Sequence, residues 1–294
     1  MSDALKSDLS PAASAEMSVA PNPSGFGAAI TGVDLKDLTP EAARAVRQAW
    51  LAHRVVWFPD QKFELDDLEA FTRAMGEWGR MDFIKPIDGH PNVLELRREP
   101  DEKASHFGAG WHSDYSFQEA PPAATILASK IVPPVGGDTL FADQVAAFEA
   151  LSPTMQELLS GLKAVHSAVL PYSKEGFYAN EGVTRSMTIL PSDEARSTRA
   201  HPLVRTHGET GRKALYVNRV YTVGIEGLSE AEAQALLDFL FAHATQEDFV
   251  YRHKWQPDMV TMWDNRAVQH FADAGFDGHR RVMWRTTTAG EVPR

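Results

Sequence analysis

The sequence predicts a mainly β protein with flanking helices, built around a β-barrel or β-sandwich core. From Val93 onward the chain consists largely of short apolar runs separated by turns rich in glycine and proline, which is typical of such cores. Amphipathic helical patterns are concentrated in zones that flank these runs. The sequence contains no internal repeat and no interdomain linker. We therefore expect a disordered tail over residues 1–25 and a single domain over residues 26–294.

The early elements follow from local signals. Residues 1–25 are rich in Ser, Ala and Pro, a composition that buries too little apolar area to order itself. A strand is predicted over residues 26–35. A helix is predicted to follow, with Thr39 as its N-cap and Pro40 at its first position. A short apolar strand and a second amphipathic helix are predicted over residues 54–58 and 65–75.

The later elements alternate between strands and helices. Strands are predicted over residues 93–96, 124–132, 139–141, 249–255, 259–263 and 280–288. Helices are predicted over residues 144–151 and 154–162, and from the Ser229 cap to residue 243. Residues 201–206 and 213–218 predict a hairpin. Residues 168–200 show no sustained period, and a loop of this length in a compact domain is usually an active-site lid or disordered.

Composition and charge exclude several classes of protein. The net charge of −11 argues against a nucleic-acid-binding protein, because phosphate neutralisation needs a clustered excess of Lys and Arg. The lack of cysteine excludes disulfides and thiolate zinc sites and fits a cytoplasmic protein. We expect no membrane segment and no secretory signal, since no apolar run approaches the roughly 20 residues that span a bilayer. A homo-oligomer is compatible with this composition, and the sequence leaves the oligomeric state open.

The most informative stretch reads Gly-Trp-His-Ser-Asp-Tyr-Ser-Phe over residues 110–117. If it is extended, side chains two residues apart share a face, so His112 and Asp114 project together as metal ligands. From 11 His and 40 acidic residues, about 1.5 such triplets are expected by chance, and the chain contains two. We interpret the other, His207-Gly208-Glu209, as part of an exposed hairpin turn because Gly and polar residues surround it.

A distant histidine would complete a metal site. Two imidazoles and one carboxylate form the facial triad typical of non-haem Fe(II), which leaves coordination positions open. His270 is our candidate for the third ligand, shortly after the turn that follows the strand ending at Trp263. The alternative is a hydrogen-bonded histidine of the core or surface, and spacing alone does not separate these interpretations.

Two arginines on the last predicted strand indicate an anion site. In an extended segment Arg281 and Arg285 lie on the same face. A buried unpaired charge is very unfavourable, so each buried guanidinium would need an anion. Guanidinium groups bind carboxylates and sulfonates through two parallel hydrogen bonds. The alternative is a solvated edge face on which both arginines are exposed.

Together these motifs resemble the taurine dioxygenase family of Fe(II)/2-oxoglutarate-dependent oxygenases. The resemblance extends from about Phe26 to the C-terminus and rests on four segments: Ile30–Leu35, Trp111–Asp114, Gly136–Thr139, and Trp263–Arg266 through His270 to Arg285. It implies a double-stranded β-helix (jelly-roll) core. It also implies that His112, Asp114 and His270 bind Fe(II).

The resemblance further implies a reaction and roles for other residues. O2 would be activated at the iron while 2-oxoglutarate is converted to succinate and CO2, and the organic substrate would be hydroxylated. Hydroxylation at a carbon next to a heteroatom makes the product fragment. Thr139 and Arg281 would hold the distal carboxylate of 2-oxoglutarate, and Arg285 would meet the anionic group of the substrate.

The expected substrate is a small anionic compound. Where taurine dioxygenases carry a His, a Tyr and an Asn near their substrate, this chain has Lys85, Asp88 and Gly108. The run from Ile84 to Glu99 is more similar to the aryloxyalkanoate dioxygenases, and alkylsulfate-cleaving relatives are also similar. An aryloxyalkanoate, a sulfonate or an alkyl sulfate is therefore expected, with Lys85 and Gly108 beside it. The alternative for Lys85 is a solvated loop lysine.

Two other functions remain open from sequence. A zinc- or manganese-dependent hydrolase on a similar barrel would need a general base beside the metal, and it gives no reason for Arg281. A non-catalytic jelly roll that binds sugars or anions would make the histidines structural.

Overall fold

The structure, a computed structural model, describes residues 17–294. The strands in this part of the chain are β1 (Ser18–Pro21), β2 (Ala28–Thr31), β3 (Val55–Phe58), β4 (Leu94–Arg98), β5 (Ala124–Ile131), β6 (Thr139–Asp143), β7 (Lys163–Ser167), β8 (Thr198–Pro202), β9 (Val204–Thr206), β10 (Lys213–Leu215), β11 (Thr222–Ile225), β12 (Val250–His253), β13 (Val260–Asp264), β14 (Val268–Ala272) and β15 (Arg281–Thr287). The α-helices are α1 (Pro40–His53), α2 (Leu65–Met75), α3 (Gln144–Glu149), α4 (Pro153–Ser160), α5 (Val169–Tyr172) and α6 (Glu230–His243).

Two facing sheets form the centre of the molecule. The larger has the strand order β1-β2-β3-β13-β5-β15-β4, and the smaller has the order β12-β6-β14. One buried cluster joins them: Leu127, Trp263 and Met283 come from the larger sheet, and Phe141 and Val268 come from the smaller. This sandwich is the predicted mainly β core, and the helices described next flank it as predicted.

Helices α1 and α2 cover the outer face of the larger sheet. Strand β13 shows the alternation that this arrangement requires, because Met262 packs in the helix-covered cluster while Trp263 packs between the sheets. Helix α1 begins as predicted, with Thr39 Oγ1 accepting a hydrogen bond from the amide of Ala42 and with Pro40 in the first turn. Helix α2 matches its predicted bounds.

A further layer consists of the sheets β11-β7-β8 and β10-β9 with α4 and α6. Strands β9 and β10 form the predicted hairpin, although the strands are shorter than expected. Strands β7, β11 and β14 were not predicted. Each has no more than five residues, and periodicity over so few residues does not distinguish a strand from a loop.

The predicted tail boundary at residue 25 is too late. Strand β1 pairs antiparallel with β2, so regular structure is present from Ser18. The side chains of β1 are mostly exposed, and the strand is held by main-chain hydrogen bonds that composition does not reveal. Residues 1–16 of the predicted tail lie outside the described residues. The strand predicted over residues 26–35 is limited to β2 and is followed by a 3-10 turn at Leu35–Asp37.

Candidate active site

His112 and His270 are held side by side by their main chains. The amide of His112 donates to the carbonyl of His270 at 3.0 Å, and the amide of His270 donates to the carbonyl of His112 at 2.8 Å. His270 lies on β14, and His112 adds a single bridge to that strand. The two imidazole centroids are 4.2 Å apart. Backbone pairing therefore brings the first and third predicted ligands together.

Asp114 lies at the start of a turn beside the two histidines. The extended conformation considered for residues 110–117 does not continue past Ser113, because residues 114–117 form a turn in which Tyr115 has a φ of +50°. Asp114 Oδ1 lies 3.4 Å from His112 Nε2 and 3.7 Å from His270 Nε2. One ligand atom from each residue lies within 4.8 Å of the others. The three predicted metal ligands thus meet.

The charge states of these groups suit a cation. The carbonyl of Gly110 can only accept, so His112 Nδ1 carries a proton in their 2.6 Å hydrogen bond and Nε2 is the nitrogen that faces Asp114. Burial lowers the pKa of His270 to about 3, so its imidazole is neutral at pH 7. Burial alone would raise the pKa of Asp114, but the Arg285 guanidinium beside it holds it well below its usual value. Two imidazoles, of which that of His270 is neutral, and one carboxylate therefore face each other.

A hydrogen-bonded chain that the sequence did not indicate fixes Asp114. Thr125 Oγ1 donates to Asp114 Oδ2 at 2.6 Å and accepts from Asn265 Nδ2 at 2.9 Å. Trp263 Nε1 in turn donates to Asn265 Oδ1 at 3.0 Å. In the sequence, Asn265 is a polar turn residue directly after an apolar strand. A side chain at such a position can be fully buried, as that of Asn265 is, and then needs hydrogen-bond partners.

The donor set fits non-haem Fe(II). Two nitrogens and one carboxylate oxygen on one side of a site are the facial arrangement that such iron prefers. Hydrogen bonds from His112 Nδ1 and to Asp114 Oδ2 orient two of the ligands, as expected around a metal.

The competing triplet at residues 207–209 has a different role. His207 is buried rather than exposed, which corrects our interpretation of its surroundings. Its Nε2 lies 2.8 Å from Asp264 Oδ2, and its Nδ1 accepts from the amides of Glu209 and Thr210. Glu209 pairs with Arg266. Both ring nitrogens are engaged in hydrogen bonds, so this histidine anchors the hairpin and offers no metal ligand.

A basic cavity adjoins the three ligands. It is lined by His112, His270, Thr139 and Gly108, and by five arginines: Arg97, Arg98, Arg185, Arg281 and Arg285. Four of the five have carboxylate partners within 4.0 Å, whereas Arg281 has no ion pair among the described residues. Its Nη2 donates only a long, 3.4 Å hydrogen bond to the carbonyl of Gly137. Burial lowers the pKa of Arg281 to about 10, so it remains a cation at pH 7. Arg281 is therefore the cavity's uncompensated positive charge.

Thr139 lies on the same cavity, at the start of β6. It follows Gly136 and Gly137, whose φ values of +64° and +73° suit glycine. Thr139 Oγ1 accepts a hydrogen bond from Trp255 Nε1 at 3.0 Å, which leaves its own hydroxyl hydrogen for another acceptor.

Arg285 is buried beside the ligand carboxylate. Its Nη2 lies 2.7 Å from Asp114 Oδ1, and its guanidinium lies 5.2 Å from the ring centre of Tyr115. Arg281 and Arg285 thus share the cavity-facing side of β15, as the strand pattern predicted.

Lys85 is not brought to the site. Its side chain is half exposed and pairs with Asp88 at 2.9 Å, because this loop directs both side chains away from the cavities. It lines neither cavity described here, so we no longer assign it a substrate contact. Gly108, in contrast, lines both cavities.

A second cavity opens on the other side of Gly108 and His112, with a volume of about 290 Å³. Five of its lining residues are Phe or Tyr: Phe107, Tyr172, Phe177, Tyr178 and Tyr221. Three of these residues belong to the segment over residues 168–200, which therefore forms part of the cavity wall. Arg185 and Glu181 pair at 2.8 Å, and Glu181 accepts a hydrogen bond from the amide of Ser105, which ties this segment to the opposite loop.

The fold and site define a class of protein: a jelly roll with two histidines and one carboxylate for a metal, beside a basic cavity. Residues 18–287 match the family described as "Taurine catabolism dioxygenase TauD, TfdA family", and the chain belongs to it. The predicted family and the predicted enzyme class, a dioxygenase, are thereby confirmed. No helix within residues 17–294 is both long and apolar enough to cross a membrane.

Similar proteins cover nearly the whole chain. It is 34% identical over 282 residues to an alpha-ketoglutarate-dependent sulfate ester dioxygenase of Pseudomonas putida, a match that covers 95% of this chain and 91% of the relative. It is 32% identical over 285 residues to an (S)-phenoxypropionate/alpha-ketoglutarate-dioxygenase of Sphingobium herbicidovorans, covering 93% and 95%. A crystal structure of a taurine dioxygenase from Burkholderia xenovorans superposes with a TM-score of 0.78 at 33% identity, covering 94% and 92%.

Proposed function

We propose that this protein is an Fe(II)- and 2-oxoglutarate-dependent dioxygenase that hydroxylates a small anionic organic substrate at a carbon next to a heteroatom, so that the product fragments. One observation carries the proposal. A metal-binding set of His112, Asp114 and His270 lies beside a cavity whose uncompensated cation is Arg281. A metal-dependent hydrolase needs the ligands but not that arginine, and a non-catalytic jelly roll needs neither.

Each group has a distinct task in this proposal. His112, Asp114 and His270 hold Fe(II), and Thr139 and Arg281 bind the far carboxylate of 2-oxoglutarate. Bound iron and 2-oxoglutarate supply O2 activation, in which 2-oxoglutarate becomes succinate and CO2 and one oxygen atom is transferred to the substrate. Thr125 keeps the Asp114 carboxylate oriented throughout. Arg285 binds the anionic group of the substrate and thereby sets which carbon faces the iron.

The second cavity supports an aryl substrate within this class. Its wall contains three successive rings, Tyr172, Tyr178 and Phe107, with centroids 5.4 and 5.6 Å apart. Phe83, which does not line the cavity, stacks on Tyr172 with a centroid distance of 5.1 Å. Such faces and edges favour stacking with a planar ring over contact with a short alkyl chain. An aryloxyalkanoate is accordingly preferred over an alkyl sulfate and over taurine.

Two measurements test the proposal. Anaerobic addition of Fe(II) and 2-oxoglutarate to the protein should produce a weak visible charge-transfer band, and His112→Ala and Asp114→Ala should each abolish it. Under air, succinate release should rise on addition of 2-phenoxypropionate, with phenol as a second product, and should rise less with hexyl sulfate or taurine. Samples without an organic substrate report uncoupled turnover. A protein that forms no band, or that releases no succinate above this background with any of the three compounds, would not be such an enzyme.

Three further features remain predictions. A cytoplasmic location is supported by the lack of cysteine. A single catalytic domain is supported by the continuous match of residues 18–287 to one family. A homo-oligomer is compatible with the composition, and sedimentation analysis of the purified chain would test it.

A further inference from the structure

Tyr115 occupies an unusual position next to the metal-binding carboxylate. It directly follows Asp114, its φ of +50° lies in the left-handed region, and only 2% of it is exposed. Its hydroxyl has no hydrogen-bond partner among the described residues. It lines neither cavity, so it is not placed to touch a substrate.

Neither backbone nor burial explains a tyrosine here. Glycine, asparagine or aspartate adopts a positive φ at lower cost. A phenylalanine would fill nearly the same space without burying an unpartnered hydroxyl. What an aromatic residue adds is an electron-rich face, and the guanidinium of Arg285 lies 5.2 Å from the centre of that ring.

Arg285 needs such support. It is 4% exposed, and one edge of its guanidinium lies against Asp114, with Nη2 and Oδ1 2.7 Å apart. Its Nε has no hydrogen-bond partner within the described chain. The ring of Tyr115 and the carboxylate of Asp114 therefore restrict the position of the guanidinium from two directions while Nε stays available.

We propose that Tyr115 is a positioning residue: its ring holds the Arg285 guanidinium beside Asp114, in the orientation that receives the substrate's anionic group. The inference rests on the proposed role of Arg285 in substrate binding. Tyr115 acts through Arg285 and does not contact the substrate. The ring, not the hydroxyl, is the functional part.

Two variants separate the ring from the remaining side chain. Tyr115→Phe keeps the ring, and Tyr115→Leu replaces it with a smaller aliphatic side chain; both carry the same strained φ, so the backbone cost is matched. For 2-phenoxypropionate, Tyr115→Leu should raise KM about tenfold, and Tyr115→Phe should stay within about threefold of the native enzyme. The KM for 2-oxoglutarate should change little in both. Equal KM values for phenoxypropionate in the leucine and phenylalanine variants would overturn the proposal.

A third variant keeps the shape of the ring. Incorporation of 3,4,5-trifluorophenylalanine at position 115 weakens the ring's attraction for a cation, so the KM for 2-phenoxypropionate should rise relative to Tyr115→Phe.

A second measurement needs no substrate. NMR of the Arg285 Nε–H group, assigned with Arg285→Lys, should show a ring-current shift in the native protein and in Tyr115→Phe that is lost in Tyr115→Leu. An absent shift in the native protein would refute the contact itself. Native enzyme without phenoxypropionate-stimulated succinate release would refute the proposed function instead, and the NMR result would still decide whether Tyr115 holds Arg285.

Discussion

His112 and His270 exchange main-chain hydrogen bonds of 3.0 and 2.8 Å, so the spacing of these two proposed metal ligands is set by backbone pairing and not by their side chains. The third ligand depends on a turn and on one hydroxyl. Asp114 is oriented by the 2.6 Å hydrogen bond from Thr125. Substitution of Thr125 should therefore weaken metal binding while all three ligands remain in place.

Thr125→Val should reduce the affinity for Fe(II) or Co(II) by roughly 10- to 100-fold, because it removes the hydrogen bond that orients the ligand carboxylate. Anaerobic metal titration followed by visible absorption measures this affinity. Thr245→Val is the control: Thr245 follows α6 in the outer helical layer, and its hydroxyl donates to the carbonyl of Phe241 at 2.9 Å. An equal loss of affinity in both variants would mean that the effect is general destabilisation.

Arg281→Ala should raise the KM for 2-oxoglutarate by roughly 10- to 100-fold, because a charged hydrogen-bonded contact in a buried cavity is lost. The KM for the organic substrate should change little. Arg97→Ala is the control, since Arg97 lines the same cavity but already pairs with Glu95 at 3.3 Å. Steady-state succinate assays with each reactant varied give both constants. The reverse pattern, a larger effect on the organic substrate, would mean that Arg281 and Arg285 have exchanged roles.

Much of the fold and the metal site could be predicted because the relevant signals are local. The cap of α1 and the periodicity of α2 depend on neighbouring residues. His112 and Asp114 are two residues apart, so their convergence was expected, although the segment turns at residues 114–117 and does not remain extended. The turn at Tyr115 escaped prediction because tyrosine carries no preference for a positive φ.

The missed features depend on contacts between distant segments. Asn265 reaches Asp114 only through Thr125 on β5, and neither residue type in its own segment indicates that partner. Lys85 stands where the taurine dioxygenases carry a residue near their substrate. Such a correspondence does not fix the direction of a loop side chain, and the side chain of Lys85 pairs with Asp88. Strand β1 was missed because pairing with β2 supplies its stability and its side chains remain exposed.

Gly108→Ala should lower kcat/KM for the organic substrate, and this loss should not be explained by lower stability. A methyl group at this position would lie 3.3 Å from Ala272 Cβ and 3.9 Å from His112 Cε1, at the junction of the two cavities. Gly89→Ala controls for the backbone, because Gly89 has a φ of +86° against +80° for Gly108, and a methyl group there meets nothing within 4 Å. Thermal unfolding should show similar losses in both variants, whereas turnover should fall in Gly108→Ala alone. Equal turnover would remove Gly108 from the substrate path.

The metal-free protein should lose stability in acid partly through His253. This residue is 1% exposed, and burial lowers its pKa to about 3, so the folded state holds it neutral while the unfolded chain binds a proton below about pH 6.5. The contribution of neutral His253 to the free energy of unfolding is therefore fully present above pH 6.5 and is lost as the pH falls toward 3.

His253→Gln isolates this contribution. At pH 7.5 the variant should be less stable, because the hydrogen bonds of the imidazole with Tyr251 at 2.9 Å and Thr261 at 3.0 Å are disturbed. Below pH 6.5 the native protein loses stability because its folded state keeps His253 neutral, whereas the variant has no imidazole at this position. The difference in the free energy of unfolding between the two proteins should therefore narrow by at most about 1.4 kcal/mol per pH unit. Urea unfolding of both proteins between pH 7.5 and 4.5 measures the difference. A gap that stays constant would show that His253 does not titrate on unfolding, and a gap that widens would mean that folding raises its pKa.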